Sequence, residues 1–294
     1  MKTTNVITPL RATLIGFGAI LLWASLALLA TLAGPVPPFQ MTAMAFALAF
    51  MLALIKWIVA REPIGGHLAL SWRVWALGIG GLFGYHVMYF AALALAPPVE
   101  ANLLNYLWPL LIVVFSGLLP GERLRWWHIA GTLAGLVGCV VLIGGGAGGV
   151  RTEYAAGYLA ALGAALAWSS YSVLSRRVRE VPTDAVGGFC GATAFLAFLA
   201  HLVFERTYIP HGSEWLAVLA LGLGPVGAAF YLWDFGIKRG DIKSLGALSY
   251  MTPLLSTMLL VVFGRAEPSV RLAVACLLIV GGAVLASREL WKAR

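Results

Sequence analysis

Charge is the scarcest commodity in this 294-residue sequence. Charged residues make up 11% of it and only 12 are acidic, against 61% hydrophobic residues and a mean hydropathy of +0.91. A soluble domain carries charge on roughly a quarter to a third of its surface, so this chain has too little to cover one. Cysteine is scarce too. Cys139, Cys190 and Cys276 all fall inside apolar runs, which excludes a secreted disulfide framework and leaves them as small packing residues. No His/Cys cluster has zinc spacing, and neither HExxH nor GxSxG occurs. The glycine-rich stretch 144–149 lacks the Lys-Ser/Thr of a P-loop, so it reads as a linker; the chain is not an ATPase and needs no cofactor. His67, His86, His128, His201 and His211 are scattered, with His201 placed deep in its apolar run. An intramembrane enzyme would need a nucleophile with a base, or metal ligands, converging at depth, and no such set is legible. The net charge of +8 comes without a basic patch, so it does not point to nucleic acid.

What the chain has in abundance is long apolar runs. A span needs about 20 mostly apolar residues to cross a hydrocarbon core near 30 Å thick. Gly, Pro and charge punctuate the sequence into ten such spans: 12–33, 38–59, 74–96, 98–119, 126–145, 156–177, 185–205, 215–237, 242–263 and 270–287. The fold class is therefore all-α and polytopic. Lys2 and Arg11 before the first run resemble a secretory signal, but the run is too long and lacks a convincing cleavage site, so it is span one. With the N-terminus inside, Arg151, Arg206, Arg265 and Arg271 fall outside and the rest of the 20 basic residues fall inside. That asymmetry obeys the positive-inside rule and places both termini in the cytoplasm, in a cell inner membrane.

The sequence also repeats itself at an offset of about 145 residues. Trp23-Ala24-Ser25 matches Trp168-Ser169-Ser170, the Tyr106–Leu111 stretch (YLWPLL) matches Tyr250–Leu255 (YMTPLL), and Glu122 matches Glu267. Five spans per repeat is an odd number, so the halves, 12–145 and 156–287, have opposite orientations. The loop after span one holds no Lys or Arg, whereas its counterpart holds Arg176, Arg177 and Arg179.

These features, with Arg11–Trp23 (RATLIGFGAILLW) and Asn105–Pro109 (NYLWP), resemble the drug/metabolite transporter superfamily with its EamA-type repeats. Within it the chain is similar to the YddG-type aromatic amino acid exporters. The resemblance implies ten helices around a central cavity, alternating access, and export of amino acids with apolar or aromatic side chains. Superfamily members differ in cargo, so other small metabolites or drugs stay open as an alternative. The second repeat reads Ser249-Tyr250-Met251-Thr252-Pro253, so Trp108 has no partner there.

Candidate path residues follow from what is costly inside a membrane. Pro109 and Pro253 have no N–H, so the carbonyls of Asn105 and Ser249 lose their helical donors. Such places either face a wet path or are kinks filled by neighbours. Tyr85 and Tyr89 share a helix face beside His86, the ionisable residue nearest mid-span. His86 is either a substrate contact or a neutral histidine bonded between helices. Trp57, Trp72, Trp75, Trp126, Trp127, Trp215 and Trp291 sit at span ends, as interfacial belt residues do. That explanation serves Trp23 and Trp108 poorly; with Tyr106 and Trp168 they would join the site if spans one, three, four and six meet. Among acids only Glu100 and Asp234 enter spans, both near an end. Asp234 pairs with Lys238 one turn on, Glu122 and Glu267 read as local caps or pairs, and no proton relay is visible.

Overall fold

The computed structural model of the chain describes residues 7–143, 151–264 and 267–289. Lys2, the glycine run 144–149, Arg265, Trp291, Lys292 and Arg294 lie outside them. Among the described residues the chain is all helix and turn. Nine helices are long and apolar enough to cross a membrane: α1 Pro9–Leu32, α2 Pro38–Val59, α3 Trp72–Leu95, α4 Pro98–Ser116, α5 Trp126–Ile143, α6 Thr152–Val178, α7 Ala185–Phe204, α8 Glu214–Arg239 and α9 Ile242–Val262. A tenth, α10 Val270–Ala286, is shorter but equally apolar. The bounds fall within a few residues of the ten expected spans. Proline at the first helical position opens α1, α2 and α4, where its missing N–H costs nothing. Ser71, Asp241 and Ser269 cap α3, α9 and α10 through their side-chain oxygens. Large apolar side chains such as Leu14, Val59, Phe204, Val262 and Leu277 cover the outside, a surface suited to lipid. The protein is a multi-pass membrane protein.

Five helices are interrupted, four of them in matched pairs. α3 carries a π-turn at Gly80–Gly84 and α8 carries one at Gly224–Ala228. α4 breaks at Tyr106 and Leu107, α9 at Ser249 and Tyr250, each just before its proline. The packing repeats the pairing. α2 lies on α7 and α5 on α10; α1 crosses α8 as α6 crosses α3, and α4 packs on α6 as α9 packs on α1. Exchanging each helix with the one five places on maps α2–α7 and α5–α10 onto themselves and the other four contacts onto one another in pairs. A five-helix unit duplicated in this way is an inverted repeat with a pseudo-twofold axis in the membrane plane. α1 alone departs from its partner. It is interrupted at Ser25, whose hydroxyl donates to the Leu22 carbonyl (2.7 Å), whereas α6 runs through.

One sequence expectation is refined here and another corrected. The Ser249 carbonyl loses its i+4 donor to Pro253 but is not left bare, because the chain tightens and Thr252 N–H reaches it at 3.0 Å. His201 is not deep in its span. It lies one turn from the end of α7, where Glu205 and Thr207 each sit 2.9 Å from a ring nitrogen.

Backbone approach at two crossings depends on glycine. A Cβ at Gly131 in α5 would lie 2.4 Å from the Gly282 carbonyl oxygen in α10, and one at Gly236 in α8 would lie 2.5 Å from Gly16 Cα in α1. Because backbone cannot swing aside like a side chain, Gly131→Val is expected to separate α5 from α10. The overpacking should cost about 1–3 kcal/mol, read as a lower melting temperature in detergent; an unchanged value would show that the crossing is loose.

Candidate functional site

The inverted halves enclose a cavity of about 440 Å³, inside the range of about 300–1,000 Å³ usual for small-molecule sites. Six helices line it, in three symmetry-related pairs. α1 and α6 supply Trp23 and Trp168; α3 supplies Tyr85, His86 and Tyr89, and α8 supplies Pro225, Val226 and Phe230. α4 contributes Asn102, Asn105, Tyr106 and Trp108, and α9 contributes Thr252 and Ser256. The interrupted stretches of α1, α3, α4, α8 and α9 all lie beside it. The lining passes from buried at Trp108 and Trp168 to exposed at Leu26, Ala27 and Ala30, so the cavity is closed at its tryptophan end and open at the other.

The closed end is a knot of indoles. Trp23, Trp108, Trp168 and Trp233 all lie within 6.4 Å of one another between ring centroids, mostly edge to face. Such pairs favour these geometries because positive ring edges meet negative faces. Trp23 is held by its Nε1–H donating to the Pro225 carbonyl (3.0 Å) in the π-turn of α8, and Trp233 by donating to Ser172 Oγ (3.0 Å).

The polar wall belongs to the first half. Tyr85 and Tyr89 stack at 5.8 Å with nearly parallel rings. The Tyr89 hydroxyl donates to Asn102 Oδ1 (2.6 Å), and Asn105 Nδ2 donates to the Tyr85 oxygen (3.2 Å). His86 Nδ1 lies 2.7 Å from the Leu82 carbonyl in the π-turn of α3. A carbonyl only accepts, so Nδ1 carries a proton and Nε2 is left for other partners. Asn105 Oδ1 and Thr252 Oγ1 are buried without a hydrogen-bond partner, and a buried polar atom left so costs free energy until something meets it. No lining residue carries a fixed charge. The arrangement suits a molecule with a ring or apolar group against the indoles and polar groups that dipoles can satisfy.

Beyond the indoles the bundle is shut by contacts between the halves. Thr13 Oγ1 accepts from Asp241 N–H (2.8 Å) beside the Gly16–Gly236 crossing. Arg176, at the end of α6, donates to the carbonyls of Ile237 (2.8 Å) and Gly240 (2.6 Å) and to Glu122 Oε1 (2.9 Å), while Lys243 reaches Glu122 Oε2 at 2.9 Å. Glu122 therefore pairs across the molecule, not locally as its loop position suggested. Asp234 and Lys238 do pair, at 2.9 Å. Glu62, His67 and Asp184 bring possible metal-ligand atoms within 4.8 Å of one another. Lys56 already pairs with Asp184 and lies 3.9 Å from Glu62, so the group is a salt-bridged clasp between α2 and α7.

All eight residues marked in the sequence as candidate substrate contacts, Trp23, Tyr85, His86, Tyr89, Asn105, Tyr106, Trp108 and Trp168, line this one cavity. Pro109 and Pro253 do not; both are buried behind the wall, at the start of the second segments of α4 and α9. Sequence reasoning passed over Asn102, Thr252, Phe230 and Trp233. The repeat carries a signal for the last two, since an offset of 144 places Phe230 opposite His86 and Trp233 opposite Tyr89.

Known proteins agree with this architecture. The model of the EamA-like transporter family matches twice, over residues 10–144 and 155–288. A protein of Ancylobacter novellus named "Aromatic amino acid exporter YddG" is 59% identical over 94% of this chain and 96% of its own. The Escherichia coli K12 protein of the same name is 26% identical over 95% of this chain and 97% of its own. A solved crystal structure superposes with a TM-score of 0.90 at 57% identity, covering 95% of this chain and 98% of that one. Two family matches, set on two inverted five-helix units around a shared cavity, make this chain a member of the EamA-like transporter family.

Proposed function

We propose that the chain exports amino acids with aromatic or apolar side chains across the inner membrane, as a secondary transporter working by alternating access. The observation that carries this reading is the uncharged cavity between the inverted halves, with indoles at its closed end and tyrosine, histidine and asparagine on one wall. An amino acid at neutral pH is a zwitterion. Its side chain matches the rings, its carboxylate can accept from Asn or Tyr donors, and its ammonium can donate to Asn105 Oδ1 or His86 Nε2 or meet an aromatic face. The relatives named as aromatic amino acid exporters support the same cargo. Trp23, Tyr85, His86, Tyr89, Asn105, Tyr106, Trp108 and Trp168 are the proposed contacts. The halves 12–145 and 156–287 are the rocking units, with the interruptions at Pro109 and Pro253 as flexible points. By the distribution of Lys and Arg both termini are cytoplasmic, so the closed end faces the cytoplasm and the cavity faces outward.

Uptake of labelled phenylalanine or tryptophan into proteoliposomes is the direct test. Saturable flux that unlabelled Phe or Trp competes away is expected. Linear, uncompeted flux would mean a pore, and uptake of other metabolites in preference to amino acids would move the chain to the superfamily's other cargoes. Cysteines placed singly at Tyr85 and Tyr106 should react with a polar thiol reagent from one side only, more slowly when substrate is present. Inert thiols at both positions would mean dry packing.

A further inference from the structure

Two groups of basic residues stand at the sealed end. Arg176, Lys238, Lys243 and Lys56 are each paired with a carboxylate inside the protein. A second group stands at the junction of α5 and α10 and is used differently. The Arg288 guanidinium lies 3.4 Å from the ring centre of Trp127 and 5.7 Å from that of Trp126; Arg125 lies 5.4 Å from Trp127. Among the described residues Arg288 has no carboxylate partner, and Arg125 only grazes Glu289 at 4.0 Å. Arg123 nearby is exposed. Stacking occupies the faces of a guanidinium and leaves its N–H edges to donate in the plane, the geometry that fits a phosphate oxygen pair.

Apolar stripes continue from this cluster along both helices. Leu133, Val137 and Val140 are exposed on α5, and Val284, Val280 and Leu277 on α10, at helical spacing away from Arg288. Between them Gly281 is exposed, and a Cβ there would meet nothing within 4 Å, which leaves a shallow dent in α10. A headgroup-level cluster of arginines and tryptophans above two apolar stripes has the form of one amphiphile. We propose that the α5–α10 junction binds an anionic phospholipid, its phosphodiester on Arg288 and Arg125 and an acyl chain along the stripes. Trp126 and Trp127 belong to the first repeat and Arg288 to the second, so the bound lipid ties the halves together at the α5–α10 pair, whose residues do not line the transport cavity.

The test is native mass spectrometry of the full chain released from bilayer discs holding equal amounts of phosphatidylglycerol and phosphatidylcholine. Wild type is expected to retain phosphatidylglycerol in clear preference. Arg125→Gln with Arg288→Gln should abolish that preference, while Arg73→Gln, at another exposed Arg–Trp pair (5.7 Å), should leave it in place. Equal retention of the two lipids by wild type, an undiminished preference in the double variant, or an equal loss in Arg73→Gln would each overturn the proposal. Should the double variant fail to assemble, wild type alone decides. High salt, which screens charge, must lower the preference, and one that ignores salt would refute an arginine–phosphate site.

Discussion

Replacing Trp108 with alanine is expected to lower the initial rate of amino-acid flux at least tenfold while the protein still inserts. Trp108 is nearly buried and meets Trp23, Trp168 and Trp233 edge to face at 6.0–6.4 Å. Each such pair contributes about 0.5–1.5 kcal/mol beyond burial, and about 1.4 kcal/mol is a factor of ten. The loss falls at the closed end of the cavity, where the proposed substrate ring would rest, so both the seal and the proposed contact weaken. The second half has Thr252 at this position and offers no substitute indole. Trp108→Phe, which keeps a ring, should recover most of the rate. His86→Ala would remove one proposed polar contact worth about 0.5–1.5 kcal/mol, so a severalfold slowing is expected there. Proteoliposome uptake, with monodisperse elution as the check on folding, decides. Flux within twofold of wild type for both Trp108→Ala and His86→Ala would remove these residues from the path.

The helical skeleton was legible in the sequence because hydrophobic length is a local property: α2 runs over the span read from its residues, and the other bounds differ by only a few positions. Asp234 and Lys238 could be paired in advance for the same reason, since four residues on one helix fixes their distance. Trp23 and Trp108 stood out because an interfacial role could not account for indoles at mid-span. Glu122 reads as a local cap or pair in the sequence because its partners are 54 residues away at Arg176 and farther still at Lys243, and only the tertiary fold sets that distance. The π-turns in α3 and α8 escaped notice as well. They appear in the sequence only as GGLFG and GPVGA, whose glycines serve helix crossings equally well. Yet it is these turns that present the Leu82 carbonyl to His86 and the Pro225 carbonyl to Trp23. Asn102 and Thr252 give no local signal; they join the site because α4 and α9 break beside it.

Glu122→Gln is expected to loosen the sealed end without touching the cavity. Its carboxylate answers Arg176 and Lys243 with one oxygen each, both at 2.9 Å, and so joins the loop after α4 to the end of α6 and the start of α9. The neutral amide leaves two cations facing each other with no anion between them. Side-chain exposures of 24% for Arg176 and 16% for Glu122 let solvent screen part of that penalty, which sets the expected cost at about 1–3 kcal/mol. Arg176 keeps its carbonyl acceptors at Ile237 and Gly240, so the fold should survive. The readouts are a melting temperature several degrees lower and faster hydrogen exchange in the first half of α1 and in α9 over Ile242–Leu248, where the seal closes. The repeat partner, Glu267, is exposed at the opposite end, and Glu267→Gln should change neither quantity. Equal effects of the two substitutions, or none from Glu122→Gln, would mean that the ionic lock does not set the seal. If only Glu122→Gln acts, the two ends of a symmetric fold are closed by different forces, ionic at one and not at the other. That asymmetry would bias an otherwise two-fold fold toward the state in which the cavity opens away from the lock.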